Sequence, residues 1–395
     1  MLWKGLLTDM TEQLYETNPY QKTFTATVLS CEPCSRKHWN VVLDRTAFYP
    51  EGGGQPGDIG TLNDITVTDT QIKDGIILHT TTEPLAPGTQ VAGCIDWNYR
   101  FDLMQNHSGE HIVSGIIHAD TQANNVGFHM GKDVITIDFD LPLSPEKLPE
   151  YERLANQAVW DNLATEITCP DAATLQTLDY RSKKDLTGKV RIVTFPGYDT
   201  CACCGLHVLH TGEIGLIQLL SIQKHKSGSR IEMLCGQRAW EYCHAVRTQN
   251  HAISVSLSAK PLETAAAVHR LKQENNALAA RISALETAAF EKKAAELQNA
   301  GHVVLFEEGL EPFSVRKLAV AVMETCGGWC AVFSGSDETG YKYAVGQLDG
   351  DTRNIVRAMN QALHGRGGGK PFLAQGSVQA SRAEIEAFFA GLSDG

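Results

Sequence analysis

Two short pairs of residues, well separated along the chain, have the types and spacing of metal ligands. His107 and His111 lie four apart, so on a helix both imidazoles project from one face, one turn from each other. Cys203-Cys-Gly-Leu-His207 sets a thiolate and an imidazole at the ends of a glycine-containing turn. Three nitrogens and one sulfur suit Zn²⁺, one ion per chain. The segment His107-Ser-Gly-Glu-His111 also fits H-x-x-E-H, in which Glu110 is the general base of a metallopeptidase. Such peptidases take a carboxylate as third ligand, which leaves Cys203 and His207 without a role. No Ser-His-Asp pattern or G-x-S-x-G elbow competes with a metal-assisted hydrolysis.

Around these pairs the periodicity changes along the chain. Residues 1–97 read as a β-rich module: Thr23–Ser30 alternates, and short strands follow at 40–44, 75–79 and 90–97. Such spacing suits a small barrel or sandwich. Within it lies a glycine-dense stretch, Thr46 to Gly60, whose Gly52, Gly53 and Gly54 allow a backbone to approach a ligand closely or make a tight turn. From 98 to 250 the pattern is mixed. A helix is expected at about 98–118 carrying both histidines, then extended segments, a helix opened by Ser144-Pro-Glu, and strands near 190–195, 213–222 and 230–235. That mixture is an α+β layer fold.

Residues 251–300 form a helical spacer, with Val268, Leu271, Asn275, Leu278, Ile282, Leu285 and Ala289 stepping as an a/d heptad seam. An antiparallel hairpin or a homodimer can each use that seam. Residues 301–395 alternate strands and helices and end in a Gly-Gly-Gly-Lys segment. Pro371 after Lys370, and His364 where a P-loop begins with Gly, exclude an ATP site there. Cys31-Glu-Pro-Cys34 has no second pair to complete a structural zinc site.

The chain carries 34 basic and 46 acidic residues, a net charge of −12, which disfavours indiscriminate binding to nucleic acid. Basic residues are nevertheless clustered: Arg181, Lys183, Lys184, Lys189 and Arg191 in one run, then Arg366 and Lys370 in a stretch free of acids. Such clusters hold phosphates without reading bases, or are solvated loops. Eleven cysteines without an export signal point to a reducing cytoplasm, and Met10 offers an alternative start to Met1.

Four separated motifs carry a resemblance. Thr46-x-Phe-Tyr-x-Glu-x-Gly-Gly-Gln-x-x-Asp-x-Gly60 resembles the glycine-rich signature of the alanyl-tRNA synthetase editing domain. Arg100-x-x-x-Met-x-x-His-x-x-x-His111 and Cys203-x-x-x-His-Val208 are similar to that domain's two zinc motifs. Gly367-Gly-Gly-Lys-Pro-x-x-Ala-Gln-Gly376 is similar to the DHH-associated domain that closes the synthetase. The chain therefore looks like a free-standing alanyl-tRNA editing protein of the AlaX family, long form.

The resemblance implies an N-terminal barrel-like module, a zinc-bearing α+β editing module, a coiled-coil spacer and a C-terminal α/β tRNA-binding or dimerisation domain. It implies hydrolysis of serine, or glycine, from mischarged tRNA(Ala), with His107, His111, Cys203 and His207 as zinc ligands. A zinc-bound water then does the chemistry, Glu110 being the one nearby side-chain candidate. Zinc either activates that water or positions the substrate. A non-catalytic zinc protein that binds tRNA is the alternative. Cys204 stands where the family commonly has glycine, which makes it a rival ligand to Cys203, and Leu206 replaces a threonine. Thr46, Gly53, Gly54 and Gln55 are the substrate-binding candidates. Rejecting alanine while accepting serine needs a site that hydrogen-bonds the extra hydroxyl. Asp199, four residues before Cys203, is a candidate acceptor for a ligand histidine, or part of an ordinary turn.

Overall fold

The computed structural model describes residues 11–182 and 190–393. Six strands near the N-terminus close into a barrel: β1 (Thr23–Ser35), β2 (His38–Leu43), β3 (Gly60–Leu62), β4 (Ile65–Lys73), β5 (Ile76–Thr81) and β6 (Gln90–Ile95), in the order β1-β2-β5-β4-β3-β6. Alternation in β1 sends Phe24, Ala26 and Val28 inward while Thr23 and Thr25 face water. Phe48, Leu43, Leu62 and Val67 complete the barrel core. Closure leaves no free sheet edge. Strand β4 was not among the strands expected from sequence. Its alternation, Ile-Thr-Val-Thr-Asp-Thr, is mostly polar, and Val67 and Thr70 are its only buried residues.

Asp96 then opens helix α1 (Trp97–Thr121), its carboxylate accepting from the Tyr99 N–H. The helix is buried almost all round from Leu103 to Ile117, as befits one at the centre of a fold rather than on its surface. It packs on α2 (Leu148–Asp161) and on a four-stranded sheet ordered β12-β13-β8-β7. Those strands are β7 (Asn125–Met130), β8 (Ile135–Phe139), β12 (Ile217–His225) and β13 (Gly228–Cys235). Residues 213 and 214, expected to begin a strand, instead belong to a 3₁₀ turn, Thr211–Ile214. A smaller sheet holds β9 (Glu166–Thr168), β10 (Ile192–Phe195) and β11 (Asp199–Ala202), whose last strand leads into the Cys203–His207 loop.

Arg100, fully buried on α1, fixes the barrel to the helix. Its guanidinium bonds the Asp58 carboxylate and the carbonyls of Ala47 and Pro19. Asp58 in turn accepts from the Tyr49 N–H at 2.5 Å, so one ion pair holds both ends of the glycine-rich segment against the histidine helix.

The chain divides into two compact units after Asn250. Helix α3 (Gly236–Ser256) crosses that point. In the second unit a 33-residue helix, α4 (Thr264–Glu296), precedes a five-stranded sheet ordered β14-β15-β16-β18-β17. The sheet comprises β14 (Gly301–Glu307), β15 (Gly327–Ser336), β16 (Gly340–Gln347), β17 (Arg366–Lys370) and β18 (Leu373–Val378). One face is covered by α5 (Pro312–Met323) with the end of α4, through Val315, Leu318, Val322 and Phe290. The other is covered by α6 (Arg353–Ala362) and α7 (Arg382–Ser393), through Val356, Met359, Ile385 and Phe389. Among the described residues no helix is long and apolar enough to cross a membrane.

Candidate metal centre

Helix α1 presents His107 and His111 one turn apart, and the loop after β11 brings Cys203 and His207 to the same point. Their ligand atoms all lie within 4.8 Å of one another. Two features shape that loop. Arg191 donates through Nη1 to the carbonyls of Cys203 (2.9 Å) and Gly205 (2.8 Å). Position 205 must be glycine, because a Cβ there would sit 2.1 Å from the His107 ring.

Each imidazole has a protein partner on its outer nitrogen. His107 Nδ1 meets Gln55 Oε1 at 3.1 Å, His111 Nδ1 meets Asp199 Oδ2 at 2.9 Å, and His207 Nδ1 meets Ser108 Oγ at 3.4 Å. The acceptor oxygens of Gln55 and Asp199 assign the proton to Nδ1 of His107 and His111, and in all three rings Nε2 is left for the shared centre. His107 Nε2 lies 3.5 Å from Cys203 Sγ, and His207 Nε2 is buried with no hydrogen-bond partner. An orphaned buried nitrogen beside a thiol is what a ligand set awaiting a cation looks like.

The electrostatics agree. Burial opposes ionisation of Cys203, yet the charge and hydrogen bond of His107, with the His111 and His207 rings close by, hold its thiol well below the ordinary range. Burial, reinforced by the charge of His107, keeps His207 well below its usual value, so it stays neutral. Burial would also depress His111, but Asp199 and Cys203 lift it to about 10. A proton there sits where a metal cation would supply the same charge. Three imidazoles and a thiolate fit Zn²⁺.

Cys204 is exposed and outside the four-donor group, whose sulfur is that of Cys203. A second set, His111, Asp199 and Cys201, is also compact. There Asp199 is taken up by Arg181, whose Nε and Nη2 bond it at 2.7 and 2.9 Å, and burial pushes the Cys201 thiol up to about 12. Glu110 is buried, its Oε1 accepting from Ser114 (2.7 Å) and Asn125 and its Oε2 4.0 Å from His111 Nε2. The four-donor group contains no carboxylate, so the peptidase reading is not carried forward.

The glycine-rich segment lies over the ligand loop. Gly52 and Gln55 exchange both backbone hydrogen bonds at 3.0 Å, and Gly53 and Gly54 have φ of +61° and +84°, the pattern of a type I′ turn. A Cβ on Gly54 would meet the Phe128 ring at 2.7 Å, and one on Gly53 would lie 4.0 Å from Cys203 Sγ. Phe128 stacks on His107 with ring centroids 5.3 Å apart. Gln55 is fully buried, and its Oε1 accepts from the Leu206 N–H (3.0 Å) as well as from His107. Its Nε2 is therefore fixed on the other side, buried and without a hydrogen-bond partner. Thr46 is equally buried, but its hydroxyl is engaged with His79 Nε2 (2.8 Å) and the Phe48 N–H (3.0 Å).

The basic residues divide. Arg181 and Arg191 are committed to Asp199 and to the ligand loop, so reading them as phosphate contacts is not carried forward. Lys183, Lys184 and Lys189, like Met1 and Met10, lie outside the described residues. Arg366 and Lys370 are exposed on the edge strand β17. There Lys370 lines a cleft of about 180 Å³ with Arg316, Gly368, Gly369 and Phe372. Cys31 and Cys34 lie on β1, half-buried and exposed. Ser108, Phe128 and the two arginines were not foreseen in these roles. Only Ser108, next to His107, had a local signal.

Comparison with known proteins accords with this arrangement. Residues 9–99 match the family described as tRNA synthetases class II (A). Residues 190–232 match the threonyl and alanyl tRNA synthetase second additional domain. The alanyl-tRNA editing protein Aarsd1 of Rattus norvegicus is 32% identical over 298 residues, 70% of this chain and 72% of its own length. The alanyl-tRNA editing protein AlaX-L of Pyrococcus horikoshii is 28% identical over 95% of this chain and 96% of its own. An alanine–tRNA ligase of Natronomonas pharaonis is 32% identical over 93% of this chain but only 42% of its own length. At 32% identity over 72% of the length of the Rattus norvegicus protein, the chain belongs to the family of alanyl-tRNA editing proteins.

Proposed function

We propose that the chain hydrolyses the ester of mischarged tRNA(Ala), chiefly Ser-tRNA(Ala) and also Gly-tRNA(Ala), with Zn²⁺ held by His107, His111, Cys203 and His207. Family membership makes the chain an aminoacyl-tRNA deacylase that edits tRNA(Ala). The serine preference and the metal are the part proposed. When bound, Zn²⁺ supplies Lewis acidity toward an oxygen or nitrogen of the substrate or water.

The observation that carries the reading is the state of the four ligands. Three rings are locked by Gln55, Asp199 and Ser108 with Nε2 inward, beside a thiol held toward its thiolate form. Hydrolysis adds water to the ester carbonyl carbon. The ribose hydroxyl of the terminal adenosine leaves, and the free amino acid departs as its carboxylate. An aminoacyl ester is activated, so positioning and polarisation suffice without a covalent nucleophile.

Gln55 is the residue of choice for selectivity. Its carbonyl orients His107 and its free amide N–H groups await an acceptor. The serine hydroxyl supplies that acceptor, whereas alanine leaves the buried donor unpaired. The Gly53–Gly54 turn lets the substrate pass close to backbone, and Phe128 shields His107 from water. Arg366 and Lys370 hold phosphates of the tRNA at a second place. The test is deacylation of Ser-, Gly- and Ala-tRNA(Ala) by metal-loaded protein. Rapid release of serine with Ala-tRNA(Ala) spared is expected, and equal rates on serine and alanine esters would overturn the selectivity assigned to Gln55.

A further inference from the structure

The three ligand rings are held unequally. His107 and His111 each face a carbonyl or carboxylate oxygen, at 3.1 and 2.9 Å, whereas His207 meets the Ser108 hydroxyl at 3.4 Å. That hydroxyl is shared, because it also accepts from the Val208 N–H at 3.1 Å. His207 therefore depends more on its backbone for its place. Before it, Arg191 grips the carbonyls of Cys203 and Gly205. After it, the chain is gripped across 189 residues of sequence by Tyr20, which lies just before β1.

The phenolic O–H of Tyr20 donates to Glu213 Oε2 at 2.8 Å, and its oxygen accepts from the Leu209 N–H at 3.0 Å. Glu213 Oε2 also accepts from the His210 N–H at 2.9 Å. On α1, Gln105 Nε2 donates to the Glu213 carbonyl at 2.8 Å. The Tyr20 ring rests on the same helix, its centroid 5.2 Å from that of Trp97 and 6.3 Å from that of Phe101. Arg100 bonds the carbonyls of Pro19 and Gln21 on either side of it. One phenol thus ties the residues just after His207 to the helix that carries the other two histidines. We propose that Tyr20 is a positioning residue for the metal centre. By holding Leu209 and Glu213 against α1, it sets the direction from which His207 Nε2 reaches the ion. This rests on the Zn²⁺ reading of the four donors. A ligand presented in place has fewer conformations to lose when the ion binds, so removing its anchor weakens binding while the fold remains.

Tyr20→Phe in the full-length chain is the test, since it keeps the ring on α1 and deletes both hydrogen bonds. Competition with a chelator should show Zn²⁺ bound about tenfold more weakly, with the circular dichroism of the metal-free protein unchanged. The d–d absorption bands of the Co²⁺-loaded protein should shift, a change that a purely structural side chain would not produce. Glu213→Gln keeps an acceptor oxygen for Tyr20 and His210 and should retain most of the affinity. Glu213→Ala should match Tyr20→Phe, and combining those two should cost no more than either, because they break one clamp. Wild-type Zn²⁺ affinity and an unaltered Co²⁺ spectrum in Tyr20→Phe overturn the proposal. So does a Tyr20→Phe protein that is unfolded without metal while Glu213→Ala stays folded and binds Zn²⁺ as wild type does. A wild type that binds neither Zn²⁺ nor Co²⁺ overturns the metal reading itself, and this proposal with it.

Discussion

The metal centre and the stripe on α4 are built on opposite terms. At the centre, every imidazole nitrogen that faces away from the shared point has a partner supplied by the chain: Gln55, Asp199 or Ser108. Along α4, five large apolar side chains are left exposed. In the first region the donors and the groups that orient them all come from one chain. The second is left uncovered by the described residues of its own chain. Substitutions in the first should therefore cost decades in activity, and substitutions outside it should cost little.

The largest expected effect is at Cys203, the soft ligand and the only anionic one. Cys203→Ala should remove bound metal and lower the deacylation rate by about 1,000-fold or more. Metal analysis and single-turnover deacylation check it together. Retained metal and rate in the variant would mean that Cys204, exposed one residue away, can take its place.

Next comes the shell behind the ligands. Asp199→Asn keeps an acceptor for His111 but removes the charge that also holds Arg181. A loss of about 10- to 100-fold in metal affinity is expected, read by competition with a chelator. The fold should survive, because the exchange is isosteric. Were affinity unchanged, the contact between Asp199 and His111 would be packing rather than orientation.

How much of this was legible follows from distance along the chain. His107 and His111 declare themselves because helical geometry converts a spacing of four into one face. Cys203 and His207 do so because a short glycine turn brings its ends together. The α4 seam is legible for the same reason. Gln55, expected at the substrate, turns out to face His107 across 52 residues of sequence, and Asp199 and Arg181 share one carboxylate across 18. Neither pairing has a local spacing rule. Arg181 and Arg191 show the converse: counted as charges they read as a phosphate patch, while the fold gives them internal partners in Asp199 and the ligand loop. Charge composition reports how many cations a segment has, and only tertiary structure reports which are already neutralised.

A middle-sized effect belongs to Gln55, which borders both ligand and substrate. Gln55→Ala removes the acceptor of His107 and of the Leu206 N–H, and deletes the free amide. The ratio of kcat/KM for Ser-tRNA(Ala) over Ala-tRNA(Ala) should fall by roughly 10- to 100-fold, about 1–3 kcal/mol of discrimination. Metal content should fall less than for Asp199→Asn, since Gln55 offers His107 a neutral acceptor rather than a charged one. A uniform loss on both esters would assign Gln55 to the metal alone.

The smallest effect should lie on the edge strand β17 of the second unit. Lys370 is exposed beside Arg316 in a shallow cleft, and no described residue of that cleft is acidic. If it touches a tRNA phosphate, Lys370→Ala should raise KM a few-fold at moderate salt, leave kcat and metal content alone, and reduce the salt slope of binding by about 1. Arg366→Ala should behave alike, and the two should add, because each contact is a separate released counterion. That additivity is the sharpest contrast with the metal centre. There Cys203, His107 and Gln55 act as one unit, and a second substitution after the first should cost almost nothing more.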